Sequence, residues 1–151
     1  MASAGAPVGT VSPVKSELYR ERLPATPAAV RRARLGVTDA LARAGIADGT
    51  LLADIALTVS EATANAVRHA YPSRNDGHVE VSLACTAEGI VITVTDEGRG
   101  IKNAVSDTRG LGIGLALMHS QADSMEVESN STGTIVTLRF AAPGPDKPPP
   151  P

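Results

Sequence analysis

The chain has 151 residues, 42% of them hydrophobic and 2% aromatic, with a formal net charge of −2. One domain with a core of Ala, Val, Leu and Ile is expected, and the charge excludes a general pull toward nucleic acid or anionic lipid. The single Cys85 excludes an internal disulfide and fits a reducing compartment, while the chain shows no signal-peptide pattern and no bilayer-length apolar run, so a cytoplasmic protein is expected.

Residues 1–15 are small, Pro/Gly/Ala-rich and aperiodic, and residues 142–151 are Pro-rich; both read as disordered extensions flanking a domain at 16–141. Glu17 to Leu23 reads as a short charged strand at a sheet edge. Pro27 suits the first turn of a helix whose apolar face is Val30, Ala33, Val37, Leu41 and Ala44, ended by Gly45. Asp48 is placed to cap a second helix running to about Ala70, with the stripe Leu52, Ile55, Val59, Ala62 and Ala66, closed by Pro72.

A hairpin follows. Val79, Val81, Leu83 and Cys85 alternate with polar or small residues, Glu88-Gly89 turns the chain, and Ile90, Ile92 and Val94 alternate again. A loop is expected from Glu97 to Arg109, then a glycine-opened helix from Leu111 to Ala122. Two last strands, near Met125–Glu128 and Thr134–Phe140, are joined by a turn through Asn130 and Gly133. This order predicts an α+β fold: a two-layer sandwich, with helices on one face of a mixed, mostly antiparallel sheet.

Three features carry chemistry. Glu61, Asn65 and His69 fall at i, i+4 and i+8 of the second helix and form one polar ridge. A carboxamide oxygen suits Mg²⁺, and a carboxylate one turn earlier can orient or deprotonate a hydroxyl; the alternative is a solvated helix face. Asp96 continues the Ile90, Ile92, Val94 alternation, which turns a carboxylate toward the apolar face. It needs a donor there, and a ligand amino group would serve; the alternative is a turn cap on local amides. Thr134 begins the Val136, Leu138, Phe140 face and could assist the same contact. Gly98 and Gly100 permit close backbone approach, and Gly110, Gly112 and Gly114 open a helix whose free N–H groups can hold phosphate. No strand directly precedes Gly110, so a dinucleotide-binding βαβ unit does not fit, and no P-loop motif is present. His78 and His119 match no metal spacing.

The order of these motifs resembles the Bergerat-fold (GHKL) ATPase family: Glu-x-x-x-Asn, Asp-x-Gly-x-Gly, Gly-x-Gly-x-Gly, then Gly-Thr in the last hairpin. Ser60-Glu61-Ala62 through Asn65-Ala66, His69-Ala70-Tyr71 and Gly110-Leu111-Gly112-Ile113-Gly114 are most similar to its anti-sigma factor serine/threonine kinases. The resemblance implies ATP and Mg²⁺ as cofactors, Glu61 as general base and Asn65 as the metal ligand. It implies that Asp96 binds the adenine amino group, with Gly98, Gly100, Ile101 and Thr134 around the base. Gly110, Gly112 and Gly114 would wrap the phosphates, with Arg109 nearby, and His69, Leu111 and Ile113 would also belong to the nucleotide site. It further implies a sigma factor as partner, a STAS-type anti-anti-sigma protein as substrate on Ser or Thr, and a homodimer, with no direct nucleic-acid or membrane contact. The alternatives are an ATP-gated binding regulator without phosphotransfer and a detached histidine-kinase catalytic domain. The glycine segment is shorter than the lids of sensor kinases, which suits the small anti-sigma subfamily.

Overall fold

The computed structural model describes residues 14–69, 76–98 and 121–141. Its elements run β1 (Val14–Pro24), α1 (Pro27–Arg43), α2 (Gly49–His69), β2 (His78–Thr86), β3 (Gly89–Asp96), β4 (Ser124–Asn130) and β5 (Gly133–Ala141). The expected loop from Glu97 and glycine-opened helix lie almost wholly outside the described residues, as do both terminal extensions.

The helices start and stop where local chemistry requires. Pro27 occupies the first turn of α1, where its missing N–H costs nothing. Gly45 ends it with φ +84°, and the Ile46 N–H reaches back to the Leu41 carbonyl at 3.0 Å. Asp48 Oδ1 accepts from the N–H of Thr50 at 3.0 Å and of Leu51 at 3.1 Å, the expected cap of α2. The face that α1 buries is rotated from the expected one. Ala29, Ala33, Val37, Ala40 and Leu41 are buried, whereas Val30 is half-buried and Ala44 exposed. Small alanines let α1 lie close to its neighbours, and the larger Val30 is turned to the margin. In α2 the stripe Ile55, Val59, Ala62 and Ala66 is buried as expected, and Leu52 is half-buried.

The five strands form one sheet in the order β1-β2-β3-β5-β4, and every pairing among them is antiparallel. The expectation is a mixed, mostly antiparallel sheet, and the described strands are antiparallel throughout. The difference arises because the β4–β5 hairpin enters with β5 against β3; β4 against β3 would have been parallel. β1 lies at an edge, as its charges indicated, and is longer than expected. α1 packs over β1 and β2, and α2 over β2 and β3. The core between layers is aliphatic: Val79, Val81, Leu83, Ile92 and Leu138 are fully buried, with Phe140 as its one phenylalanine.

Tyr19 ties the layers together. Its ring lies against the Cα of Gly36 on α1, in the space a Cβ would fill. Its hydroxyl donates to Glu21 Oε2 at 2.7 Å, and Arg32 of α1 donates from Nε to Glu21 Oε1 at 3.0 Å. Burial, then the Glu21 hydrogen bond, push the phenol pKa above its usual range. The exposed pairs Arg20–Glu17 and Arg20–Glu80 add little by comparison. Gly36→Ala gains about 1 kcal/mol of helix propensity but displaces the Tyr19 ring from its bonded position, at a cost of about 1–3 kcal/mol. We expect it to lower the urea midpoint in the native chain and to raise it in a Tyr19→Ala background. A stabilising Gly36→Ala in the native chain would show that the ring does not depend on that space.

Candidate functional site

The sheet registers place side chains in lateral rows on the helix-facing side. Two consecutive rows read Tyr19–Leu83–Ile92–Leu138–Met125 and Glu21–Val81–Val94–Val136–Val127. Across β2, β3, β5 and β4 these rows are apolar. The next row is Leu23–Val79–Asp96–Thr134–Ser129. It begins as the others do and then carries three oxygen-bearing side chains in succession, at the end of β3 and the start of β5.

Asp96 is 8% exposed and Thr134 4%, so the alternation read from β3 holds and the carboxylate faces the apolar side. Asp96 Oδ1 accepts from the N–H of Gly98 at 3.0 Å, so the local turn is present too. Burial pushes the carboxyl pKa up, and the backbone N–H groups of Gly98 and Thr134 offset part of that rise. Among the described residues no basic side chain contributes to the shift. A carboxylate has about four acceptor sites, so two amides leave capacity for a further donor. The turn and the ligand contact are therefore compatible uses of one side chain.

Gly133 holds the facing strand in place. Its φ is +154°, and a Cβ there would overlap the main-chain carbonyl oxygen of Asp96. The close approach brings Thr134 opposite Asp96. Thr134 Oγ1 lies 2.9 Å from Ser129 Oγ on β4, a contact the reading of single motifs missed. The signal was available: Ser129 continues the Met125, Val127 alternation onto the same face.

α2 packs over β3, the strand that carries Asp96. Glu61 and Asn65 are both half-buried, one turn apart. Between them, the Thr63 hydroxyl is fully buried and without a hydrogen-bond partner among the described residues. Such a group costs about 1–3 kcal/mol. His69 is the last residue of α2, and its side chain lies outside the described residues. Gly98 is described, whereas Gly100, Ile101, Arg109, Gly110, Leu111, Gly112, Ile113 and Gly114 fall outside. Among the described residues no cluster of three His, Cys, Asp or Glu side chains could hold a metal, and no helix is long and apolar enough to cross a membrane.

The sequence profile of the histidine kinase-like ATPase domain matches residues 23–140, most of the chain. The chain belongs to that family. It is similar to the serine-protein kinase RsbW of Bacillus velezensis, at 29% identity over 79% of this chain and 82% of the relative. It is 37% identical to the anti-sigma F factor of Heyndrickxia coagulans over 54% of this chain and 63% of the relative. Among solved structures, it resembles the RsbU and RsbW domains of Rv1364c from Mycobacterium tuberculosis, with a TM-score of 0.63 and 28% identity, covering 83% of this chain and 33% of that one. These findings bear out the family and the α+β fold read from the motif order. Membership of an ATPase family makes ATP the nucleotide for which the fold is built. Among the described residues Asp96 is a buried acceptor with spare capacity and no cation beside it.

A raised carboxyl pKa means that folding favours the protonated acid. This group's contribution to stability is therefore present below the unfolded carboxylate pKa and is lost as pH rises through the folded value. Asp96→Asn keeps an Oδ1 acceptor and removes the buried charge. We expect the variant to be more stable than the native chain by about 1 kcal/mol at neutral pH, with the gap closing below about pH 4. Urea unfolding over a pH series measures this, and a gap that does not change with pH would show that the Asp96 charge carries no cost.

Proposed function

We propose that this chain is an ATP-dependent protein serine/threonine kinase that also restrains a sigma factor. The observation that carries the reading is Asp96, a buried carboxylate with acceptor sites left over, paired with Thr134 in a histidine kinase-like ATPase domain. The names of the relatives support the two activities: serine-protein kinase for one, anti-sigma factor for the other.

In this reading Asp96 accepts from the exocyclic amino group of adenine, and Gly98, Gly100 and Ile101 form the wall beside it. Asn65 offers a hard carboxamide oxygen to Mg²⁺, which takes few protein ligands and completes its shell with phosphate and water. His69, Arg109 and the segment Gly110–Gly114, with Leu111, Gly112 and Ile113 inside it, hold the phosphates. Bound Mg²⁺-ATP supplies the phosphoryl group and much of the charge neutralisation for its transfer. Glu61 orients the attacking hydroxyl of a protein Ser or Thr and takes its proton as the new O–P bond forms and ADP leaves. The hydroxyl belongs to a STAS-type anti-anti-sigma protein, whose phosphorylation frees the kinase to hold its sigma factor. The working unit is a homodimer in the cytoplasm.

Glu61→Ala should leave ATP bound and reduce transfer by about 10²-fold or more, because positioning survives while hydroxyl activation does not. Asn65→Ala should instead weaken Mg²⁺-dependent ATP binding. The assay is incubation with γ-labelled ATP and STAS-type proteins from the same cell, with the labelled residue mapped. Acid-stable phosphoserine or phosphothreonine is the expected product. Acid-labile phosphohistidine would assign the chain to histidine kinases, and absence of transfer to any protein would leave an ATP-gated binding regulator.

A further inference from the structure

Nothing in the motif reading calls for Ser129, yet it completes the polar row. Thr134 stands beside Asp96 on β5, and its backbone N–H already faces that carboxylate. Directly paired residues on neighbouring strands have Cβ atoms about 4.5–5.5 Å apart. A threonine side chain can change its χ1 rotamer and carry its hydroxyl to the strongest acceptor nearby. The strongest acceptor in this row is the Asp96 carboxylate. The structure records a different bond: Thr134 Oγ1 meets Ser129 Oγ at 2.9 Å, on the side away from Asp96. The two hydroxyls are opposite each other in the β4–β5 register, so the contact is set by strand pairing.

We infer that Ser129 is a positioning residue, which holds the Thr134 hydroxyl across β5–β4 and keeps it from occupying the Asp96 carboxylate, leaving that carboxylate open to an amino group. The inference rests on the adenine reading of Asp96. A hydroxyl turned onto Asp96 would satisfy the carboxylate in advance, and an incoming base would have to displace it. Ser129 thus acts on base recognition without touching the base. Charged groups on the surrounding elements include Glu61 of α2 and Glu97 next in the chain. Arg22 of β1, Glu80 of β2, Glu128 of β4 and Arg139 of β5 belong to rows on the opposite sheet face. None of the six enters the balance at Asp96, which among the described residues is set by burial and two backbone amides.

The test combines binding with titration of the ligand-free protein. Ser129→Ala should weaken ATP by about tenfold or more, the worth of one neutral-to-ionic hydrogen bond that must now be displaced. Binding of purine riboside triphosphate, which lacks the amino group, should not change, so the preference for ATP over that analogue narrows. Ser129→Thr, which keeps the hydroxyl, should bind as the native chain does. In the ligand-free protein, carbon-13 titration of the Asp96 carboxyl should show a lower pKa in Ser129→Ala, because a new donor favours the charged form. Adding Thr134→Val should remove that lowering, since no hydroxyl is left to turn. A Ser129→Ala protein that keeps the native Asp96 titration and the native ATP preference overturns the proposal, as does equal weakening of ATP and the analogue. Asp96→Ala, which leaves no side-chain acceptor, separates the two levels. If it retains the preference for ATP, the adenine reading itself fails; if it loses that preference while Ser129→Ala is silent, only the role of Ser129 fails.

Discussion

A carboxylate held on the apolar face of a sheet is the constraint around which this molecule is arranged. Asp96 stands in a position that β-strand alternation reserves for a hydrophobic residue, and burial raises the cost of its charge. Two backbone amides offset part of that cost. One comes from the turn at Gly98 and the other from Thr134, which Gly133 allows to approach. The glycine and threonine of the last hairpin are therefore explained by the aspartate two strands away in sequence and next door in space. The remaining cost is retained in the folded protein, and acceptor capacity on the carboxylate is left over.

The scaffold that carries this residue is built from small side chains. Alanines on α1 and α2 allow the helices to lie close to a sheet of Val, Ile and Leu, so a tight core forms with few aromatics. The large side chain at the β1–α1 junction, Tyr19, is accommodated because α1 presents Gly36 to it. Its hydroxyl, Glu21 and Arg32 then join β1 to α1 through directional bonds. α2 is placed over β2 and β3, so the helix bearing Glu61 and Asn65 shares a layer boundary with the strand bearing Asp96. The Thr63 hydroxyl, buried without a partner among the described residues, adds a second polar cost on the same helix.

Local rules were legible in the chain because they act over a few residues. Asp48 caps α2, Gly45 ends α1, and the hairpin at Glu88-Gly89 appears where the alternating segments place it. The inward direction of Asp96 followed from a period of two, and the family followed from the order of Glu61, Asn65, Asp96, the glycines and Thr134. What depended on distant partners was not legible. Periodicity put Val30 on the inner face of α1, but the neighbours of that helix selected Ala29 and Ala40 instead. Helical spacing defines a stripe, whereas close packing chooses its centre line.

Strand order shows the same division. Each strand could be read by itself, but not that β5 would lie between β3 and β4 and make the described sheet wholly antiparallel. That choice created the row Asp96–Thr134–Ser129, because residues 96 and 129 come together only through β5. The sequence by itself determined which residues could bear a charge, turn a chain or line a face, since those properties belong to side chains and their near neighbours. Only the tertiary structure decided that the Thr134 hydroxyl meets Ser129 on one side and stands beside a buried carboxylate on the other. Hydrogen bonds between strands depend on register, and register is settled by the packing of the whole sheet.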